Sequence, residues 1–236
     1  MRVLVIQNCE TENLGFYEEY LSLHQISFDT FAAYLNKPLP PHSIYDFFII
    51  GGTPISVSKL NKYNFLSQER KYLEKVIISN KFCLGVCFGG QLLANILGAE
   101  VRKNPRPEIG IYEVELTFHG KKDPYWRGFP LRFPVFQWHN DTFDLPAGAK
   151  LLVKGKDCLH QAFRLKKVMG LQFHLEVGLN QALDWAQKYK NELRQVAKTK
   201  KQISKECYLH QTEMKKLAFR IMDNIFSFLV RKEASV

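Results

Sequence analysis

The segment Gly85-Val86-Cys87-Phe88-Gly89-Gly90-Gln91 has the residue types of a nucleophile turn. The apolar run Phe82–Val86 enters it, and helical spacing follows over Gln91–Leu97, closed by Gly98. A strand, a Gly-x-Cys-x-Gly turn and a helix form a nucleophile elbow with cysteine in place of serine. Such a turn strains the backbone of its central residue, so the neighbours must be small, and Gly85 and Gly89 leave that room. The helix directs its unpaired N–H groups and the positive end of its dipole at the sulfur, which favours the thiolate. The Phe88 N–H is then placed to stabilise an oxyanion. A cysteine without these flanks reads as a small buried apolar residue.

Gly170-Leu171-Gln172-Phe173-His174-Leu175-Glu176 supplies what a thiol nucleophile needs. His174 ends an apolar run and can reach a nucleophile on a neighbouring strand. Glu176 can then hold one imidazole tautomer and stabilise its charged form. The alternative is a surface histidine at a strand end. His-x-Glu also occurs in zinc deaminases, but the Pro-Cys-x-x-Cys that should follow is absent, so metal is disfavoured. A third signal is Gly51-Gly52-Thr53-Pro54 after the apolar run Phe47–Ile50. A diglycine there lets backbone N–H groups turn toward a site, unless it is an ordinary βα turn. All three signals would sit at the carboxyl ends of strands, where ligands gather in α/β sheets.

The elements that must position them alternate. Strands are expected at Val3–Gln7, Ser27–Phe31, Asp46–Ile50 and Phe82–Val86, with helices at Leu14–His24 and along the Phe65, Leu66, Leu73, Val76, Ile77 face. From about Gly110 strands and turns take over: Ile111–Phe118, Phe133–Gln137, Leu151–Lys154, Gln161–Arg164 and Val168–Phe173. The expectation is an α/β fold with a flavodoxin-like, mostly parallel central sheet flanked by helices, a small mixed or antiparallel sheet, and a C-terminal helical extension. Residues 1–178 form the expected main unit. Residues 179–236 are expected as helices packed on it through Met214, Leu217, Ile221, Ile225 and Leu229, a stripe at helical spacing.

These motifs resemble the class I, triad-type glutamine amidotransferases, and most closely stand-alone members similar to the glutaminase domain of GMP synthetase. The resemblance rests on Gly51-Gly52, Leu84–Ala94 and Gly170–Glu176, with Glu108-Ile109-Gly110 and Trp138-His139-Asn140-Asp141-Thr142-Phe143 in support. It implies a triad in which Cys87 attacks a glutamine amide, His174 serves as base and then acid, and Glu176 orients it. Gly52 and Phe88 would form the oxyanion hole. Gln91 would contact the α-amino or carboxylate end of the substrate, with His139 and Asp141 as further binding candidates. Two departures stand out: Leu175 replaces the usual proline between His174 and Glu176, and Gly90 stands where many members have histidine. No cofactor is implied. The substrate would be glutamine or a γ-glutamyl compound, and a synthetase or acceptor protein could serve in trans. A γ-glutamyl peptidase or transferase, and a non-catalytic binding or regulatory module, are the alternatives.

Length and composition agree with this. The 236 residues are 46% hydrophobic and 24% charged, an ordinary globular mix. The five cysteines are scattered with no Cys-x-x-Cys pair, which argues against a disulfide framework or structural zinc. The first apolar run is too short for a signal peptide and no stretch suits a membrane span, so the expected place is the cytoplasm. The net charge is +10, and residues 180–236 hold 12 Lys and Arg against 6 Asp and Glu. Without interleaved aromatics this reads as a solvated helical face rather than a nucleic-acid surface, though it could dock an acidic partner.

Overall fold

Val3–Ile6 and Phe47–Ile50 are continuous apolar runs, so each strand has two faces to bury, and helices cover both. The computed structural model describes residues 1–233. Its elements run β1 (Arg2–Gln7), α1 (Gly15–Leu23), β2 (Ser27–Ala32), β3 (Phe47–Ile50), α2 (Asn64–Ile78), β4 (Phe82–Val86), α3 (Phe88–Ile96), β5 (Val101–Leu116), α4 (Phe118–Lys122), β6 (Arg132–Phe143), β7 (Lys150–Lys154), β8 (Ala162–Leu165), β9 (Val168–Leu171), α5 (Leu179–Lys188), α6 (Lys190–Leu193) and α7 (Lys200–Glu233). In β1, Val3 and Val5 join the core shared with α1 and α7, while Leu4 and Ile6 join the core shared with α2 and α3.

The strands form one nine-stranded sheet in the order β2-β1-β3-β4-β9-β8-β7-β5-β6. Pairing is parallel from β2 to β9 and antiparallel from β9 to β6. The antiparallel strands therefore continue the parallel sheet instead of standing apart from it. The joint is β9, which pairs parallel with β4 on one side and antiparallel with β8 on the other.

Two strands are longer than the sequence suggests. β5 begins at Val101 and β6 runs on to Phe143, with a register shift between Lys103 and Glu108. Asn104-Pro105-Arg106-Pro107 lies at this irregularity in the ladder, where proline is tolerated. At the other end, β9 stops at Leu171, so His174 lies beyond its strand. A two-way backbone bridge holds it: the His174 N–H donates to the Phe136 carbonyl at 2.8 Å, and the Phe136 N–H returns a bond at 3.0 Å.

α7 is 34 residues long, and its Leu217, Ala218, Ile221, Met222, Ile225, Phe226 and Leu229 lie in the core cluster that contains Val3, Phe47 and Leu84. Lys200, Lys201, Lys205, Lys216 and Arg220 stand on its exposed face. We expect Ile221→Ala to lower stability by about 2–5 kcal/mol in denaturant unfolding, because Ile221 is fully buried. An unchanged unfolding midpoint would show that α7 adds little to the core.

Asn8, just after β1, donates from one amide nitrogen to Glu69 of α2 at 3.0 Å and to the Gly51 carbonyl at 3.3 Å. This ties together two of the loops that meet at the carboxyl end of the sheet. Glu69 is fully buried, and that burial pushes its carboxyl up to about 8 against the bond from Asn8. The unfolded chain ionises this group near its ordinary value of 4.5, while the folded protein keeps the proton. Stability from this group is therefore present at acid pH and declines as pH rises from about 4.5 to about 8. Glu69→Gln should flatten the fall in melting temperature across that range, and parallel curves for the two proteins would count against it.

Candidate active site

Cys87 occupies the sharp turn between β4 and α3. Its φ of 52° and ψ of −111° place a non-glycine residue in a conformation it rarely adopts. The surroundings force it. The Cys87 N–H donates to the Leu171 carbonyl at 2.8 Å, and the Cys87 carbonyl accepts the Gln91 N–H at 2.9 Å. A side-chain carbon on Gly85 would overlap the Gly89 carbonyl, so the strand and helix can meet at this angle only without one. Helix α3 starts at Phe88, three residues earlier than the hydrophobic spacing suggests. Its first N–H groups have no intrahelical acceptor and cluster beside the sulfur.

His174 comes to this sulfur from beyond β9. Its Nδ1 lies 2.6 Å from Glu176 Oε1, and both side chains are buried. Burial on its own would lower the imidazole's affinity for a proton. The Glu176 carboxylate, helped by the Cys87 sulfur, outweighs this and raises the His174 pKa well above its ordinary value. Nε2 makes no directed hydrogen bond to the described residues and is left facing Cys87. Leu175, which stands in the usual proline's place, is fully buried in the core with Phe173. Packing thus anchors the turn that a proline ring would otherwise stiffen. At Gly90 the other departure has a steric cause, because a side-chain carbon there would overlap the Leu171 carbonyl oxygen.

The remaining candidates divide into two groups. Gly52 approaches Cys87 closely: a carbon built on it would lie 3.8 Å from both Cys87 Cβ and His174 Cε1. Gln91 lines the cavity, but its amide nitrogen is engaged within the protein, donating to the Asp141 carbonyl at 3.0 Å and to Gln172 Oε1 at 3.2 Å. Its oxygen is the end left for a ligand. His139 has both ring nitrogens occupied, Nδ1 by the Asp141 carbonyl and Nε2 by Glu108, each at 2.9 Å. Since a carbonyl only accepts, Nδ1 carries a proton. The Asp141 carboxylate forms an ion pair with Lys103 at 2.7 Å, off the line of a directed hydrogen bond. His139 and Asp141 line the cavity beside Cys87, and these bonds hold the Trp138–Asp141 stretch in place, with the Trp138 carbonyl 3.7 Å from the Cys87 sulfur.

Glu108, His139 and Cys158 also offer ligand atoms within 4.8 Å of one another. They are already engaged with their neighbours, since Glu108 meets His139 Nε2 and accepts from Gln161, and Cys158 meets Thr142 at 3.1 Å. This network supports the strand carrying Trp138 without requiring a metal.

Several residues to which the sequence assigns no role stand at the site. Gln172 links Gln91 to the sulfur, 3.9 Å from its own amide nitrogen. The segment after Gly178 does more than pack on the domain, because Trp185, Tyr189 and Glu192 line the cavity beside Cys87. Trp185 stands edge-on to His174, with ring centroids 5.1 Å apart, and its indole donates to the Thr11 carbonyl at 2.8 Å. The Trp138 indole donates to Glu192 at 2.9 Å. Glu12, in the loop after β1, completes that wall. The cavity holds about 200 Å³, room for a small polar substrate. Cys87 opens into it. The other buried thiols are pushed up by burial, Cys158 and Cys207 to about 12 and Cys83 further. Brief iodoacetamide treatment at neutral pH should thus label Cys87 first by peptide mapping. Earlier labelling of Cys9 or any buried cysteine would remove Cys87 as the reactive thiol.

The family model for glutamine amidotransferase class-I matches residues 17–195. A glutamine amidotransferase-like protein of Salmonella typhimurium is 28% identical over 181 residues, covering 75% of this chain and 76% of that one. One component of the glutamine-hydrolyzing GMP synthase of Sulfurisphaera tokodaii is 33% identical over 145 residues, 60% of this chain and 72% of that one. Among solved structures, a glutamine amidotransferase from Thermotoga maritima superposes with a TM-score of 0.88 at 32% identity, over 95% of this chain and 97% of that one. Among the described residues, no helix is long and apolar enough to cross a membrane.

Proposed function

This chain belongs to the class I glutamine amidotransferases, and we propose that it cleaves the γ-amide of glutamine, or of a related γ-glutamyl amide, through a thioester on Cys87. The observation that carries the reading is His174, held by Glu176 at 2.6 Å and facing a cysteine at a strained strand-to-helix turn. The Cys87 sulfur attacks the amide carbon. Negative charge gathers on the amide oxygen, which the Gly52 and Phe88 N–H groups receive. His174 gives its proton to the nitrogen, the C–N bond breaks, and the amine departs. Water then attacks the thioester, with His174 taking its proton, and releases the γ-carboxylate and the thiol. Glu176 keeps Nδ1 protonated and aims Nε2 at the reacting atoms throughout.

The Gln91 oxygen, beside the Trp138–Asp141 stretch, is the proposed contact for the α-amino end of the glutamyl group. Relatives named as components of a glutamine-hydrolyzing GMP synthase support a reading in which the ammonia passes to a synthetase in trans. An ammonia assay on the isolated chain, with and without cell extract, separates free hydrolysis from partner-dependent release.

The roles are unequal, and rates should show it. Cys87→Ala should abolish amide cleavage. Glu176→Ala should lower kcat by roughly a hundredfold to ten-thousandfold, a smaller loss, because Glu176 orients the base and carries no reacting atom. Equal inactivity of two folded variants would contradict this division.

A further inference from the structure

Glu12 belongs to no motif, yet its carboxyl group is buried at the nucleophile. It is 8% exposed, and what remains open faces the cavity. Oε1 accepts the Tyr189 hydroxyl at 3.2 Å. Oε2 has no hydrogen bond from any described residue, and it lies 2.8 Å from where a carbon on Gly52 would stand. That same point is 3.8 Å from Cys87 Cβ and from His174 Cε1. A free carboxyl oxygen, the nucleophile and the imidazole thus surround one small volume.

We propose that Glu12 selects the leaving amine: its free oxygen receives an N–H of the departing nitrogen, so that ammonia or a cationic amine leaves readily while an amine bearing a carboxylate is disfavoured. This rests on the cleavage reading above. Once the amide oxygen points to the Gly52 and Phe88 N–H groups and the carbon faces the sulfur, the nitrogen must turn toward His174. The volume bounded by His174, Gly52 and Glu12 is where it goes. The glutamyl chain runs the other way, along Gln91.

The surroundings of Glu12 set both its protonation and the charge beside it. Trp185 and Tyr189 exclude water beside Glu12, which strengthens any charge–charge term there. Burial pushes the Glu12 carboxyl up to about 7, against the pull of His174, the Tyr189 hydroxyl and Lys188, with Glu176 adding to the rise. The group can therefore exchange a proton in the range where the amine departs. Glu192, bonded to the Trp138 indole, places a second carboxyl group on the same wall. Of the two lysines lining the cavity, Lys103 is paired with Asp141, and Lys59 lies on the turn Val57–Lys62.

The test compares kcat/KM of the full chain on three compounds: glutamine, the γ-glutamyl amide of ethylenediamine, whose leaving amine is cationic, and γ-glutamylglycine, whose leaving amine carries a carboxylate. The first two should be cleaved at least about tenfold faster than the third, the size expected of one buried charged contact. Glu12→Gln should narrow that ratio by about tenfold, and Glu12→Asp should keep the order. A wild-type protein that cleaves γ-glutamylglycine as fast as glutamine overturns the proposal without any variant. So does a folded Glu12→Gln protein with an unchanged ratio. If Glu12→Gln fails to fold, the wild-type order still decides. Should the wild type cleave none of the three, with or without cell extract, the cleavage reading itself falls and takes this one with it.

Discussion

The backbone at Cys87 must turn from a buried strand into a helix within one residue, and it does so at a φ of 52°. A conformation of this kind costs on the order of 1–3 kcal/mol and persists only where the surroundings over-determine it. Here they do. β4 is clamped between β3 and β9, the Cys87 N–H is bonded to the end of β9, and α3 lies so close to both strands that Gly85, Gly89 and Gly90 have no room for a side chain. The turn that exposes the sulfur at a helix N-terminus also brings the end of β9, and thus His174, beside it. Cys87 and His174 are neighbours because their strands are.

A second requirement follows from burial. The ground around the sulfur is polar: Gln91, Gln137, His139, Gln161, Gln172, His174 and Glu176 are all buried. Such groups destabilise a fold unless their hydrogen bonds are met inside it. Glu108 meets two of them, through His139 and Gln161, and the Asp141 carbonyl meets two more, through Gln91 and His139. The antiparallel strands β5, β6 and β8 supply this support, so the second half of the sheet is part of the site's construction. Among the described residues, His174 Nε2, Gln137 Oε1 and Glu176 Oε2 are the buried atoms of this set left without a hydrogen bond.

The C-terminal helices act at two levels. α7 covers one face of the sheet and leaves Lys200, Lys201, Lys205, Lys216 and Arg220 in solvent. The segment before it, α5 and α6, is tied by Trp185 and Lys188 to Thr11 in the loop after β1, and its aromatic rings close the cavity. Access to Cys87 is therefore shaped by residues from both ends of the chain.

By itself the sequence determined the alternation of strands and helices, the elbow at Cys87, and the association of His174 with Glu176. These depend on local spacing: glycine at a tight turn, apolar runs at strand or helix period, and a carboxylate two residues from a histidine. Only the tertiary structure decided that β5 and β6 extend through a proline-rich irregularity, because ladder partners 30 or more residues away override local preference. It also decided that His139 and Asp141 hold the strand beside Cys87, since the contact of His139 with Glu108 and the ion pair of Asp141 with Lys103 join residues far apart in the chain. Glu12, Trp185 and Tyr189 reach the site for the same reason. A cavity is made where distant segments converge, and chain order does not record which side chains will face each other across it.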